Sequence, residues 1–201
     1  MSQSHRPLRI AGLISGGGRT LLNLLELSQK GELNIEVATV IASRDCAGVG
    51  RCEEKNLPVH VVPFKEFGAG KVQEYSDAIT KIIDNANVDL IVMAGFLSKY
   101  IVPQKYTGRI MNIHPALLPK FGGKGCYGNR VHSAVIEASE TESGCTVHYV
   151  TNEYDAGPPI LQRTVPVLPN DDVDTLAARV FEQECIAYPE AIKIFMNEYF
   201  K

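Results

Sequence analysis

The chain has 201 residues, of which 45% are apolar, and a formal net charge of −3. That length is expected to form a single domain over 1–201. The acidic balance argues against nucleic-acid partners, and no apolar run approaches the ~20 residues of a membrane-spanning helix, but a small phosphorylated ligand stays open because it needs only a local site.

The polar start, Met1 to Pro7, lacks the apolar core of a signal peptide and is expected to be a disordered or frayed end. Leu8 to Ile14 is a continuous apolar run, as in a strand buried on both sides. Leucines at 21, 22, 24, 25 and 27 put a helix over Thr20 to Lys30, with Gly31 as its stop. Ile35 to Ala42 reads as a strand, Val49 to Asn56 as a helix, and Val59 to Val62 as a third strand. Tyr75, Ile79, Ile82 and Ile83 give a helix over Val72 to Asn85, followed by a strand from Asp89 to Ala94 closed by Gly95. A short helix is expected around Leu97 to Tyr106, then a strand over Arg109 to Ile113. Such alternation implies a parallel sheet covered by helices on both faces, with ligands beyond the carboxyl ends of its strands.

The second half changes character. Lys120 to Asn129 is a glycine-rich loop, Val131 to Ser139 a helix, and Gly144 to Val150 an alternating strand with Thr146, His148 and Val150 on one face. Ile160 to Val167 could pair with it antiparallel, which makes the fold an α/β, Rossmann-like, mostly parallel twisted sheet with an antiparallel C-terminal part. Asp171 to Tyr199 reads as helical, interrupted at Pro189. The chain has no internal repeat and no linker long enough to split domains.

Three stretches could carry chemistry. In Asn112-Ile113-His114-Pro115, residues two apart on a strand share a face, so Asn112 and His114 lie together while Ile113 packs away. A carboxamide that cannot titrate beside an imidazole that can suits polarising a carbonyl while moving a proton; the bland alternative is a loop tie and a wall residue. Ser15-Gly16-Gly17-Gly18-Arg19-Thr20 joins a buried strand to a helix. It lacks the Lys-Ser/Thr ending of a Walker loop, and Leu21 stands where a dinucleotide fingerprint has its third glycine. Phosphate binding, with Arg19 as an added charge, competes there with a plain tight turn. Asp155, in the loop from Thr151 to Pro159, either makes a turn hydrogen bond or meets His114, where a carboxylate would orient the imidazole and favour its protonated form.

The five cysteines, Cys46, Cys52, Cys126, Cys145 and Cys185, have no metal-knuckle or redox spacing. They are read as reduced thiols of a cytoplasmic protein; Cys145 is the best placed to be reactive, but a buried structural thiol is the simpler reading. No histidine–carboxylate cluster has metal-ligand spacing, so no metal is expected. His132 either reaches a ligand or is an exposed helix histidine.

The segment Asn-Ile-His-Pro-Ala-Leu-Leu-Pro at 112–119, with His148-Tyr149-Val150-Thr151-Asn152-Glu153-Tyr154-Asp155-Ala156-Gly157, resembles the phosphoribosylglycinamide formyltransferases of the folate-dependent formyltransferase family. The resemblance runs from Ile14-Ser15-Gly16 to Ala187-Tyr188-Pro189. It implies the formyltransferase fold and transfer of a formyl group from the co-substrate 10-formyltetrahydrofolate to the amine of glycinamide ribonucleotide in purine synthesis. By position it implies Asn112, His114 and Asp155 as catalytic. It implies Gly18, Arg19, Thr20 and Glu184 for substrate phosphate and ribose. It implies Leu97, Ser98, Lys99 and Tyr100, with Asn112, Thr151, Asn152, Glu153, Tyr154 and Asp155, for folate, and a cis bond at Leu118-Pro119. The first loop departs from the usual Ser-Gly-Asn-Gly-Ser-Asn at Gly17 and Thr20, so the phosphate would rest more on Arg19 and backbone amides. The loop at 122–129 is longer than in many members, and Leu97-Ser98-Lys99 replaces a Met-Arg-Ile usual in the pterin wall.

The expected partners are small molecules, with no nucleic acid or membrane, for a monomer or homodimer. A methionyl-tRNA formyltransferase would want a second, basic C-terminal domain, and a formyltetrahydrofolate hydrolase an extra N-terminal regulatory one; this acidic chain is expected to be neither. A non-catalytic nucleotide-binding module is the rival from another class.

Overall fold

The computed structural model describes residues 6–201. The expected frayed end at 1–7 falls mainly on residues 1–5, outside the described residues. The chain falls into two compact units, one of residues through Ile110 together with Lys193–Lys201, the other of Met111–Ile192.

The first unit contains β1 (Leu8–Ile14), α1 (Arg19–Gln29), β2 (Ile35–Ala42), α2 (Ala47–Glu53), β3 (Val59–Val61), α3 (Phe64–Phe67), α4 (Val72–Asn85) and β4 (Leu90–Met93). Its strands lie in the order β3-β2-β1-β4, all parallel. The apolar runs behave as buried parallel strands should: all of β4 and nearly all of β1 are buried. On α4, Tyr75, Ile79 and Ile83 form the buried stripe. On α1, Leu21 sits over Gly12, where a Cβ would come within 2.5 Å of its side chain. The glycine that permits close helix–strand packing is therefore supplied by the strand.

Two local features differ from the sequence reading. The short helix α3 and a 3₁₀ turn at Ala69–Lys71 fill a stretch left unassigned; Phe64 and Phe67 meet the Tyr75 ring edge-on at 5.0 and 5.5 Å. Conversely, the helix expected around Leu97 to Tyr106 is only a 3₁₀ turn at Gln104–Tyr106. Pro103 disfavours helical backbone at Val102. Two amides are also taken by distant side chains, Leu97 N–H by Ser15 Oγ (2.8 Å) and Ile101 N–H by Ser76 Oγ (2.9 Å).

Asp89 ties together several parts of this unit. Burial works against its ionisation, but hydrogen bonds from the Arg6 guanidinium, the Arg9 amide and the Tyr199 hydroxyl outweigh that and hold it at about 2. A carboxyl depressed in the folded state contributes stability above its unfolded value near 4, and that contribution is lost as pH falls towards 2. Asp89→Asn is expected to cost on the order of 2 kcal/mol at pH 7. In urea unfolding the deficit against the wild type should shrink at pH 3.

The second unit is antiparallel. β5 (Ile110–His114, entering it at Met111) pairs with β6 (Glu142–Tyr149), and β6 with β7 (Pro159–Pro166). The register sets Asn112 opposite His148 and His114 opposite Thr146. The mostly parallel arrangement with an antiparallel C-terminal part is as expected. α5 spans Asn129–Glu137, and α6 runs without a break from Val173 to Tyr199 through Pro189. A proline inside a helix costs about 3 kcal/mol. Here Tyr188, Ala191 and Ile192 are fully buried around it, and the Tyr188 hydroxyl donates to the Met111 carbonyl at 2.9 Å, which offsets the break. The start of α6 lies at Val173 because Asp172 caps it, accepting the Thr175 amide at 2.8 Å.

No helix among the described residues is long and apolar enough to cross a membrane.

Candidate active site

Along the end of β5, Ile113 is buried, Asn112 is half-buried and His114 is 3% exposed. The His114 Nε2 lies 2.9 Å from the Phe121 carbonyl oxygen. A carbonyl only accepts, so Nε2 carries a hydrogen. In a neutral ring that leaves the lone pair on Nδ1. It faces Asp155 Oδ2 at 3.6 Å. The other carboxylate oxygen, Oδ1, stands 3.7 Å from His148 Nε2, so Asp155 sits between two imidazoles. The Gly123 amide donates to Oδ2 at 2.9 Å, which makes the glycine-rich loop part of the carboxylate's support. Asp155 holds a left-handed backbone (φ 51°), a conformation that aspartate tolerates better than most residues.

Asn112, His114 and Asp155, separated by up to 43 positions in sequence, thus converge within one unit. His148 completes the cluster: its Nε2 is 3.2 Å from Asn112 Nδ2. His132 is not the exposed helix histidine offered as one reading. It is 4% exposed, and its Nδ1 has no hydrogen-bond partner among the described residues. Burial, and secondly the charge of His114, push its ring towards the neutral form.

The backbone around the cluster is pinned by buried polar groups. Thr146 Oγ1 donates to the Ala116 carbonyl (2.7 Å) and accepts from the Leu118 amide (3.0 Å), just before a cis Leu118–Pro119 bond. Gly157 closes the loop that carries Asp155. A Cβ there would stand 1.7 Å from the Tyr149 carbonyl oxygen, so no side chain fits without moving the strand end. Gly157→Ala should lower stability by roughly 2–4 kcal/mol, read from chemical denaturation. The exposed face of the loop carries Thr151, Asn152, Glu153 and Tyr154.

The glycine loop belongs to the first unit. Gly18 takes a left-handed conformation (φ 67°) and starts α1, whose first amides at Arg19, Thr20 and Leu21 have no intrahelical partner. Arg19 is exposed and Thr20 buried. The start of α2 lies against this loop: the Gly48 amide donates to the Gly16 carbonyl at 3.0 Å, and a Cβ at 48 would be 2.6 Å from that oxygen. Two cations that sequence reasoning missed also touch the loop. Arg44 Nε donates to the Ser15 carbonyl (2.7 Å) and Arg51 to the Gly17 carbonyl (2.9 Å). No motif spacing marks them, since they follow β2 rather than the loop itself.

Of the segment at 97–100, Leu97 is 48% exposed, while Tyr100 is buried with its hydroxyl 2.8 Å from Thr80 Oγ1 and is pushed up to about 12 by that burial. Glu184 is half-buried on α6, within electrostatic reach of Cys145. Cys145 is fully buried, and burial followed by the Glu184 charge raises its thiol to about 12. It is the structural thiol, not a nucleophile.

A protein-family model described as formyl transferase matches residues 8–192. The chain belongs to the formyl transferase family. It is 38% identical to a phosphoribosylglycinamide formyltransferase of Haemophilus influenzae over 191 residues, 93% of this chain and 86% of that protein. It is 37% identical over 199 residues to the trifunctional purine biosynthetic protein adenosine-3 of Drosophila melanogaster, spanning 96% of this chain but only 14% of that protein. Among solved structures, glycinamide ribonucleotide transformylase 1 of Symbiobacterium toebii superposes with a TM-score of 0.87 at 34% identity, covering 98% of this chain and 90% of that one. A formyltetrahydrofolate deformylase of Pseudomonas syringae shares the fold (TM-score 0.84) at 22% identity, covering 98% of this chain and 64% of that one. The formyltransferase fold expected from the family's motif is therefore the fold of this chain.

Proposed function

We propose that this formyl transferase family member moves the formyl group of 10-formyltetrahydrofolate to the amine of glycinamide ribonucleotide, in purine synthesis. The observation that carries this reading is the cluster of Asn112, His114 and Asp155, with His114 Nδ1 turned towards the carboxylate. The neutral amine of the acceptor attacks the formyl carbon, and the carbonyl electron pair moves onto oxygen. Asn112 donates an N–H to that oxygen, and protonated His114 adds positive charge beside it. The new ammonium loses a proton. The bond from formyl carbon to folate nitrogen then breaks, and that nitrogen gains a proton. Asp155 and His114 Nδ1, 3.6 Å apart, carry these protons.

Gly18, Arg19 and Thr20, at the start of α1 where the helix dipole favours an anion, receive the acceptor's phosphate, with Arg44 and Arg51 adding charge, and Glu184 serves its ribose. Leu97, Ser98 and Lys99 and the backbone of 151–155 serve the pterin, with the buried Tyr100 anchoring the segment through its hydroxyl at Thr80. The five cysteines are not joined in disulfides, which supports a cytoplasmic location. The proposed substrates are small molecules, and the enzyme works as a monomer or homodimer.

Arg19→Ala should raise the KM for the ribonucleotide about tenfold while kcat holds, as loss of one charged phosphate contact predicts. The experiment that tests the function follows loss of 10-formyltetrahydrofolate with and without glycinamide ribonucleotide. Donor loss that requires the acceptor is expected. Equal loss in its absence would make the chain a hydrolase. Nucleotide binding with no donor loss would leave the non-catalytic module.

A further inference from the structure

His148 lies outside the family trio, yet it touches Asn112 directly. Its Nδ1 is 2.9 Å from the Tyr149 carbonyl oxygen. That oxygen can only accept, so the hydrogen of a neutral ring sits on Nδ1 and Nε2 presents a lone pair. The group 3.2 Å from this lone pair is Asn112 Nδ2, a donor. If the carboxamide turned over, its oxygen would face the lone pair, acceptor against acceptor.

We infer that His148 is a positioning residue: as its Nδ1–H tautomer it holds one N–H of Asn112, fixing the donor end of the carboxamide and leaving the second N–H to the developing oxyanion. This rests on the formyl-transfer reading above. The cross-strand register that sets Asn112 opposite His148 gives the contact a rigid base. The ring is 2% exposed. Burial favours its neutral form and the charge of His114 acts the same way, against the opposing pull of Asp155 and of the Tyr149 carbonyl. In water an amide would turn freely; here one end has a fixed partner.

The test has two arms. In protein labelled with ¹⁵N-histidine, the imidazole nitrogen shifts should report His148 as a neutral ring protonated on Nδ1. A ring protonated on Nε2 alone overturns the inference. In the second arm, His148→Gln keeps an acceptor near the Nε2 position and should hold kcat within about threefold. His148→Phe, or His148→Met if the first does not fold, should lower kcat about tenfold with both KM values unchanged. In an Asn112→Ala background the same apolar substitution should have no further effect, because the group it positions is gone. An unchanged kcat in the apolar variant, or a full tenfold loss on top of Asn112→Ala, overturns the inference. A wild type without acceptor-dependent transfer would sink the functional reading instead, and leaves the tautomer measurement to decide the His148–Asn112 geometry alone.

Discussion

Asn112→Ala is expected to lower kcat by about a hundredfold to a thousandfold, with the KM of each substrate nearly unchanged. An oriented donor to a tetrahedral oxyanion is commonly worth ~2.7–4 kcal/mol, and it strengthens only as charge develops on the oxygen. The site gives Asn112 that character. Its strand is hydrogen-bonded to β6, its amide end is held by His148, and it is half-buried, where a dipole is less screened than in water. The fold should survive, because the Asn112 side chain is itself only half-buried while Ile110, Met111 and Ile113 supply the packing. Steady-state kinetics alongside a melting curve separate the two effects. A raised KM at constant kcat would mean that Asn112 only binds substrate.

Asp155→Asn should be of similar or larger size, about a hundredfold to ten-thousandfold in kcat. The substitution nearly preserves shape. An amide oxygen can still accept the Gly123 N–H that now meets Oδ2 at 2.9 Å, so the glycine-rich loop keeps its anchor. What disappears is the negative charge 3.6 Å from His114 Nδ1 and 3.7 Å from His148 Nε2. On the proposed mechanism, the ammonium formed in the reaction then has no carboxylate to take its proton, and His114 Nδ1 faces no negative charge. Single-turnover rates with both substrates saturating are the right measure, since they exclude product release. Asp155→Glu, with the charge kept but displaced by one methylene, should fall between the two.

Local pattern carried much of this structure. The period of two placed Asn112 and His114 on one face from the residues alone, and the apolar runs marked β1, β2 and β4 nearly to the residue. Contacts across long separations were a different matter. Asp155 reaches His114 only because β6 returns antiparallel beside β5, and a strand's register is not written in its own residues. For the same reason the sequence shows His148 only as one of three side chains on a face, without its partner on the facing strand. The helix expected around 97–106 failed because its amides bond to Ser15 and Ser76, which no local window contains. Pro189 looks like a break in sequence because its cost is local, while the burial that offsets it comes from tertiary packing. Arg44 and Arg51 stayed hidden because carbonyls of another loop define their place.

The most direct test of the claim that the cluster performs the transfer is made on His114→Ala. Equilibrium affinities for glycinamide ribonucleotide and for a non-reactive folate analogue would be measured by calorimetry, and the single-turnover transfer rate measured at saturation of both substrates. The account predicts affinities within about threefold of the wild type and a rate lowered at least a hundredfold, the scale of a lost general acid–base group. A rate equal to that of the wild type, with only the affinities weakened, would contradict it.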